Sequence, residues 1–98
     1  MFQRFVCFKF REGTPADAIQ THLNMFAALP GQIPEIVAYA GGRVVQDSEQ
    51  PAQYDTAHYV TYATRADIDV YVHHPAHQAF IAANKPNWDN VLVVDSEV

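Results

Sequence analysis

The chain has 98 residues, a length that fits one domain spanning residues 1–98 and leaves little room for a second. Hydrophobic residues make up 49% of the chain, which predicts a folded domain and excludes a disordered one. A formal charge of −5 argues against nucleic acid or an anionic membrane surface as a partner. The sequence has no apolar run long enough to span a bilayer and one cysteine, Cys7, so we expect a cytoplasmic protein with no membrane partner.

A strand and a helix are predicted at the start of the chain. Aromatic and β-branched residues predict the first strand over Phe2–Phe10. In the helix that follows, Thr14 is predicted as the N-cap and Pro15 as the first helical residue, where its missing N–H has no cost. The helix should end at Pro30-Gly31, because proline cannot continue it and glycine accepts a positive φ.

Two further strands are predicted in the middle of the chain. The first of these covers Ile33–Val45, and its paired glycines, Gly41-Gly42, favour a bulge or a sharp bend. The polar residues 46–53 are predicted to form a loop. The third strand of the chain then covers Asp55–Ala63.

A second helical region and a last strand complete the pattern. Thr64 is predicted to cap the helix, which is interrupted at His74-Pro75 and ends at Pro86. The last strand covers Asn90–Asp95. The order β-α-β-β-α-β predicts a ferredoxin-like α+β fold, a four-stranded antiparallel sheet with its helices on one face.

Large apolar side chains are predicted on both faces of the sheet. By the alternation of strand residues, Phe8 and Phe5 fall on opposite faces of the first strand, as do Val60 and Tyr59 in the third. Helices cover one face only, and monomers rarely leave a large apolar sheet surface in water. We therefore expect a homodimer that closes two sheets face to face.

Several segments resemble the Dabb family, the stress-responsive α/β-barrel domains. The segments are HPAHQAF at residues 74–80, VLVVD at 91–95, FVCFKF at 5–10 and LPGQIP at 29–34. The resemblance covers essentially the whole chain and implies a dimeric α/β barrel, in agreement with the expected homodimer. It implies less about activity, because most members of the family have none assigned and fold alone does not fix function.

The resemblance also implies candidate catalytic residues. Some plant members are polyketide cyclases that perform an intramolecular aldol cyclisation. Their catalytic histidine is the second histidine of the HPAH motif, which is His77 here. Their tyrosine partner lies six residues earlier, at Tyr71, and their supporting aspartate ends the last strand, at Asp95.

Three positions differ from those family members, and we expect them to line the cavity and bind substrate. Arg4 stands where members often carry a histidine, Phe26 where the cyclases have a pocket tyrosine, and His58 where they have a valine. Arg4 and His58 also interrupt strand faces whose other residues are apolar. Facing a cavity, Arg4 would anchor a substrate carboxylate with His58 beside it, whereas facing outward both would be solvated.

Each catalytic candidate has a structural alternative. His77 is suited to a general base whose tautomer Asp95 would fix, or it only organises the turn at Pro75. Tyr71 would polarise or anchor the substrate, or it is an ordinary buried tyrosine. A carboxylate at Asp95 needs a partner, either His77 or, as a structural ion pair, Arg4.

Metal and thiol chemistry receive less support from the sequence. His58, His77 and Asp95 are ligand types of a two-histidine, one-carboxylate iron site, but no local spacing supports one. Cys7 lies among phenylalanines without the positive surroundings that produce a thiolate. We therefore expect no metal and no cofactor.

Two classes of function remain open. One is a cofactor-free cyclase, isomerase or lyase that acts on a small keto or phenolic acid, and the other is a non-catalytic ligand-binding or structural dimer. Of the remaining histidines, His74 is predicted to act as a cap or packing residue and His22 and His73 to lie on the surface.

Overall fold

Strands and helices alternate in the predicted order. The computed structural model describes residues 1–47, 49 and 51–98. In these residues the strands are β1 (Phe2–Phe10), β2 (Ile36–Arg43), β3 (Thr56–Tyr62) and β4 (Trp88–Glu97), and the helices are α1 (Ala16–Ala28), α2 (Arg65–His73) and α3 (Pro75–Asn84). Short 3-10 turns at Leu29–Gly31 and Lys85–Asn87 follow α1 and α3. No described helix is both long enough and apolar enough to cross a membrane.

The strands form one antiparallel sheet in the order β2-β3-β1-β4. β1 lies inside the sheet, so that Val6 pairs with His58 of β3 on one side and with Val93 of β4 on the other. The predicted ferredoxin-like α+β fold is confirmed. Because β4 forms one edge, its residues have a strand neighbour on one side only.

The two faces of the sheet have different surroundings. Alternate residues of β1 and β3 turn toward the helices and pack against side chains from β2, the helices and their connections. The buried core consists of Val6, Phe8, Phe10, Phe26, Leu29, Ile33, Ile36, Val60, Tyr62, Ile68, Tyr71 and Phe80. On the opposite face the rings of Phe5 and Tyr59 lie 4.9 Å apart, and Tyr59 is 43% exposed. The edge strand β4 exposes apolar side chains on both faces, at Val91, Leu92, Val93 and Val94.

The beginnings of α2 and α3 confirm the sequence prediction. Thr64 and Asp67 form a reciprocal capping box in which each side chain accepts a hydrogen bond from the other's backbone N–H. His74 ends α2 and caps α3, because its Nδ1 accepts a hydrogen bond of 3.0 Å from the N–H of Ala76. Pro75 occupies the first position of α3, where a missing N–H is tolerated.

The predicted N-cap of α1 is wrong by one residue. The helix begins at Ala16 and its N-cap is Pro15, whose side chain has no hydrogen-bonding group. The hydroxyl of Thr14 instead donates to the carbonyl of Arg11 at 2.6 Å. A threonine hydroxyl can bond either to the free N–H groups at the start of a helix or to the backbone of a nearby turn. Here it bonds to the turn, at the carbonyl of Arg11.

β2 is shorter than the predicted Ile33–Val45, and its irregularity lies elsewhere than at the glycine pair. The register shift follows Ile36, whereas the glycines at 41 and 42 pair regularly with β3. A Cβ at Gly41 would lie 2.7 Å from Nδ1 of His58 and closer still to the hydroxyl of Tyr39. Gly41 therefore provides space for a buried contact. In the predicted loop 46–53, residues 48 and 50 lie outside the described residues.

Candidate functional site

A small cavity lies between the helix-covered face of the sheet and the helices. Its volume is about 150 Å³, and its lining includes the predicted site residues Arg4, Phe26, Tyr71 and His77. The rest of the lining is apolar or aromatic, formed by Val6, Phe8, Phe80, Ile81, Trp88, Val91 and Val93. Because Val91 and Val93 are 37% and 47% exposed, the cavity opens along the edge strand β4.

His77 lies in the first turns of α3 and is held by the end of α2. Its Nδ1 lies 3.0 Å from the carbonyl oxygen of Val72. A carbonyl only accepts, so Nδ1 carries the proton and Nε2 presents a lone pair. Burial lowers the pKa of His77, the Val72 hydrogen bond opposes that shift, and the positive charge of Arg4 lowers it further. The imidazole is therefore neutral at pH 7 and able to accept a proton.

Tyr71 lies beside His77, although six residues separate them in the chain. The break at Pro75 turns α3 back against α2 and brings the two rings to a centroid distance of 4.3 Å. Tyr71 is 1% exposed, and burial raises its pKa well above the usual range. The phenol therefore keeps its proton and can donate a hydrogen bond.

Arg4 and Asp95 form a bidentate ion pair across β1 and β4. Nε of Arg4 donates to Oδ1 of Asp95 at 2.8 Å, and Nη2 donates to Oδ2 at 3.0 Å. The hydrogen bond from Arg4 holds the pKa of Asp95 below its usual range. Of the two partners predicted for Asp95, the structure shows Arg4. The tautomer of His77 is fixed by the carbonyl of Val72 and not by Asp95.

The guanidinium of Arg4 connects this ion pair to the cavity. Its central carbon lies 6.0 Å from the centroid of the Tyr71 ring. Its Nη1 makes no hydrogen bond within the described residues. The side chain is thereby oriented by Asp95 and keeps donors for a second anion.

His58 does not line the cavity, which corrects its predicted role in substrate binding. Its ring is fully buried behind that of Phe26, parallel to it at 4.0 Å. Its Nε2 lies 3.3 Å from Nε2 of His22 and 3.2 Å from the hydroxyl of Thr56. Its Nδ1 lies 2.8 Å from the hydroxyl of Tyr39. His58 supports the cavity wall from behind.

The prediction that His22 lies on the surface is wrong, because it is fully buried. Its position indicates the reason: it lies three residues after Ile19 and four before Phe26, on the apolar face of α1. Nδ1 of His22 accepts a hydrogen bond of 3.4 Å from the indole N–H of Trp88. Nε2 of His22 therefore carries the proton and donates to His58, which in turn donates to Tyr39.

Burial keeps both histidines of this pair uncharged. It lowers the pKa of His22 to about 4. It also lowers the pKa of His58, to about 3, with a further contribution from His22. The pair is a hydrogen-bonded support of the core, and neither histidine lines the cavity.

The candidate metal ligands do not come together. Among the described residues, no group of three or more His, Cys, Asp or Glu side chains is arranged to hold a metal ion. His58 is enclosed in the core, and Asp95 is held by Arg4. Cys7 is free and buried, and burial raises the pKa of its thiol, as expected of a cysteine that is not a nucleophile.

Known proteins share the fold of this chain. A protein from Arabidopsis thaliana aligns with a TM-score of 0.88 at 22% identity, covering 100% of this chain and 95% of that one. A dimeric ferredoxin-like protein of unknown function from Thermobifida fusca aligns with a TM-score of 0.86 at 22% identity, covering 99% and 90%.

A hydroxynitrile lyase from Passiflora edulis aligns with a TM-score of 0.88 at 14% identity, covering 99% of this chain and 92% of that one. At these identities the likeness shows a shared fold. No curated protein matches the chain in sequence. The sequence model of the stress-responsive A/B barrel domain matches residues 2–98. The chain therefore belongs to the stress-responsive A/B barrel domain (Dabb) family.

Proposed function

We propose that the protein is a homodimer that binds a small keto or phenolic acid in the cavity and catalyses a cofactor-free cyclisation, isomerisation or lyase reaction. The observation that carries this proposal is the hydrogen bond between Nδ1 of His77 and the carbonyl of Val72. It leaves Nε2 of His77 as the free base, next to the protonated phenol of Tyr71.

The three polar residues of the cavity have complementary roles. His77 removes a proton from a carbon next to a carbonyl group or from a hydroxyl group of the substrate. Tyr71 donates a hydrogen bond to the oxygen on which negative charge develops. Arg4, oriented by Asp95, binds the carboxylate of the substrate. The same fold in a hydroxynitrile lyase is compatible with the lyase alternative.

The size of the cavity supports a small reacting group. Its volume of about 150 Å³ is below the range of roughly 300–1,000 Å³ that holds drug-sized ligands. Aromatic side chains such as Phe8, Phe26 and Phe80 line it and give the base largely apolar surroundings. The part of the substrate that reacts is therefore compact and largely apolar, with one or two oxygens.

A screen followed by variants tests catalysis. Small aromatic and keto acids are screened by the rise in melting temperature that ligand binding produces, and those that bind are assayed for turnover. Loss of a general base lowers rates by roughly 100-fold to 10,000-fold, and His77→Ala should show a loss of this order. His73→Ala is the matched control, because His73 is an exposed histidine of α2 that lies outside the cavity lining. Unchanged turnover in His77→Ala on every responsive substrate would exclude the proposed base.

A non-catalytic dimer is the second candidate function, and one observation favours it. The carbonyl of Val72 also accepts a hydrogen bond of 2.7 Å from Nε2 of Gln78, so His77 and Gln78 together hold the turn between α2 and α3. On this alternative, His77→Ala lowers the melting temperature while ligand affinity stays as it was. His77→Asn separates the two functions, because it can still donate to Val72 but cannot act as a base.

The homodimer is supported by the open face of the sheet. Phe5, Tyr59, Leu92 and Val94 place apolar groups on this face, and neighbours of the same fold are described as dimeric. Leu92→Asp should therefore produce monomers in size-exclusion chromatography with light scattering. Val70→Asp, at an exposed valine of α2, should leave a dimer.

A cytoplasmic location is also part of the proposal. The unpaired thiol of Cys7 is compatible with a reducing, cytoplasmic location.

A further inference from the structure

A second, larger space adjoins the cavity at the edge of the sheet. This groove has a volume of about 570 Å³ and lies between the end of α3 and the start of β4. It shares three lining residues with the cavity, namely Ile81, Trp88 and Val91. Since the cavity opens along β4 and Val91 is 37% exposed, the groove begins where the cavity ends. Together the two spaces have the size of a ligand site for a much longer molecule.

The part of the groove that is not shared with the cavity carries two cationic side chains, although the chain as a whole is negative. Arg11 and Lys85 line it, and the only carboxylate among its lining residues is that of Asp89. Nε of Arg11 is fixed by a hydrogen bond of 3.1 Å to the carbonyl of Pro86. Within the described residues neither Arg11 nor Lys85 forms an ion pair, in contrast to Arg4 with Asp95.

We propose that the cavity and the groove form one site for an elongated substrate with an anionic group at each end. The proposal rests on the proposed function and extends it. Arg4 binds the carboxylate of the reacting end, as above, and the shared residues Ile81, Trp88 and Val91 contact an apolar middle. Arg11 and Lys85 bind a second carboxylate at the far end.

The positions of the cations set the length of this substrate. Arg4 lies near the start of β1 and Arg11 directly follows its last residue, Phe10. Seven residues of extended strand span roughly 23 Å. The chain of extended hexadecanedioic acid is a few ångströms shorter, and the contacts of its carboxylates with the two cations make up the difference, so this compound is a suitable probe.

Ligand binding can be measured through the fluorescence of Trp88. It is the chain's single tryptophan and belongs to both linings, so its fluorescence reports on occupation of either space. Titrations compare hexadecanedioic acid with hexadecanoic acid, which lacks the second carboxylate, and with hexanoic acid, which reaches only the cavity. Exposed ion pairs contribute little individually, so we expect the diacid to bind about tenfold more tightly than the long monoacid.

Three variants test where the second carboxylate binds. The double variant Arg11→Gln with Lys85→Gln should abolish the preference for the diacid, whereas Arg43→Gln should keep it. Arg43 is the matched control because it lies on β2, at the opposite edge of the sheet. Ala82→Phe places a ring in the groove, keeps Trp88 as the single tryptophan, and should reduce both long acids to the affinity of hexanoic acid, which itself stays unchanged.

Each contrary result has one meaning. The proposal that Arg11 and Lys85 bind a second carboxylate would be overturned by equal affinities of the diacid and the long monoacid. It would also be overturned if the preference for the diacid persists in the double variant. If hexanoic acid binds while neither long acid binds more tightly, the extended site is wrong and the proposed function stands. If no acid of any length changes the fluorescence of Trp88 or the melting temperature, the extended site is wrong, and the screen of aromatic and keto acids decides the proposed function by itself.

Discussion

The imidazoles of His22 and His58 meet at 3.3 Å, Nε2 to Nε2, in the fully buried core. Only one arrangement of protons satisfies their neighbours. Trp88 donates to Nδ1 of His22, so Nε2 of His22 carries the proton and donates it to Nε2 of His58. A proton added to either ring would place an uncompensated charge among aromatic side chains. The core therefore depends on both histidines remaining neutral.

This dependence predicts how stability changes with pH. Burial lowers the pKa of His22 to about 4 and that of His58 to about 3 from an ordinary value of 6.5. Between pH 6.5 and 4 the unfolded chain binds protons that the folded chain does not. The free energy of unfolding should therefore fall as the pH falls through this window, by at most about 2.7 kcal/mol per pH unit for two groups, and be insensitive to them above it.

Urea denaturation at several pH values measures that slope. His22→Gln should remove about half of the contribution of the pair, since one of its two titrating groups is gone. His73→Gln alters an exposed histidine and should leave the slope as in the wild type. A slope that His22→Gln does not reduce would mean that the pair does not cause the acid sensitivity.

Gly41 is predicted to be essential for the contact between Tyr39 and His58. A Cβ at this position would lie 2.7 Å from Nδ1 of His58 and would displace the hydroxyl of Tyr39. Gly41→Ala should therefore destabilise the protein by about 1–3 kcal/mol, as overpacking typically does. Gly42→Ala meets nothing within 4 Å and should change stability by less than about 0.5 kcal/mol.

A double-mutant cycle with Tyr39→Phe identifies the cause of the Gly41 effect. Removing the hydroxyl removes the nearest obstacle to the new Cβ, so Gly41→Ala should cost less free energy in this background. An equal cost in both backgrounds, measured by urea denaturation, would mean that the hydroxyl of Tyr39 is not the obstacle.

The two threonines that precede helices show how far the sequence determines local structure. Thr64 caps α2 as predicted, whereas Thr14 bonds to the carbonyl of Arg11 and leaves α1 uncapped. Thr64→Ala should therefore cost about 1 kcal/mol of unfolding free energy. Thr14→Ala loses only an exposed hydrogen bond, so a few tenths of a kcal/mol are expected. Equal costs in thermal or urea denaturation would contradict this difference.

The fold could be predicted because its causes are local. Alternation in β1, the break at Pro75 and the cap at Thr64 each follow from neighbouring residues, and their order in the chain gave the topology. The proximity of Tyr71 and His77 followed from the same break.

The partners within the site could not be predicted in the same way. Asp95 had two candidate partners, and the choice of Arg4 depends on which residues of β1 and β4 lie opposite each other. His58 and His22 are far apart in the chain, and their pairing depends on how α1 packs against β3. Of the two, only the burial of His22 was readable from the sequence, through its place on the apolar face of α1.

The ion pair of Arg4 and Asp95 leads to a final prediction. The side chain of Arg4 is 16% exposed, so loss of its carboxylate partner leaves a largely buried cation. The side chain of Asp95 is 42% exposed, so water can replace part of its interaction with the Arg4 guanidinium. We therefore expect Asp95→Asn to lower the free energy of unfolding by only about 1 kcal/mol. Because Arg4 lowers the pKa of Asp95, this contribution is present above the ordinary value of 3.8 and is lost as the pH falls through the lowered pKa.

Lys9 provides the control for this ion pair. It approaches Asp55 with a single contact of 3.6 Å and is 43% exposed, so Lys9→Gln should cost less than about 0.5 kcal/mol. Urea denaturation of both variants at pH 7 and at pH 3 distinguishes the two pairs. The difference between Asp95→Asn and the wild type should shrink at the lower pH, because acid removes the carboxylate charge that the variant lacks. A difference that stays constant would show that Asp95 acts through packing and not through its charge.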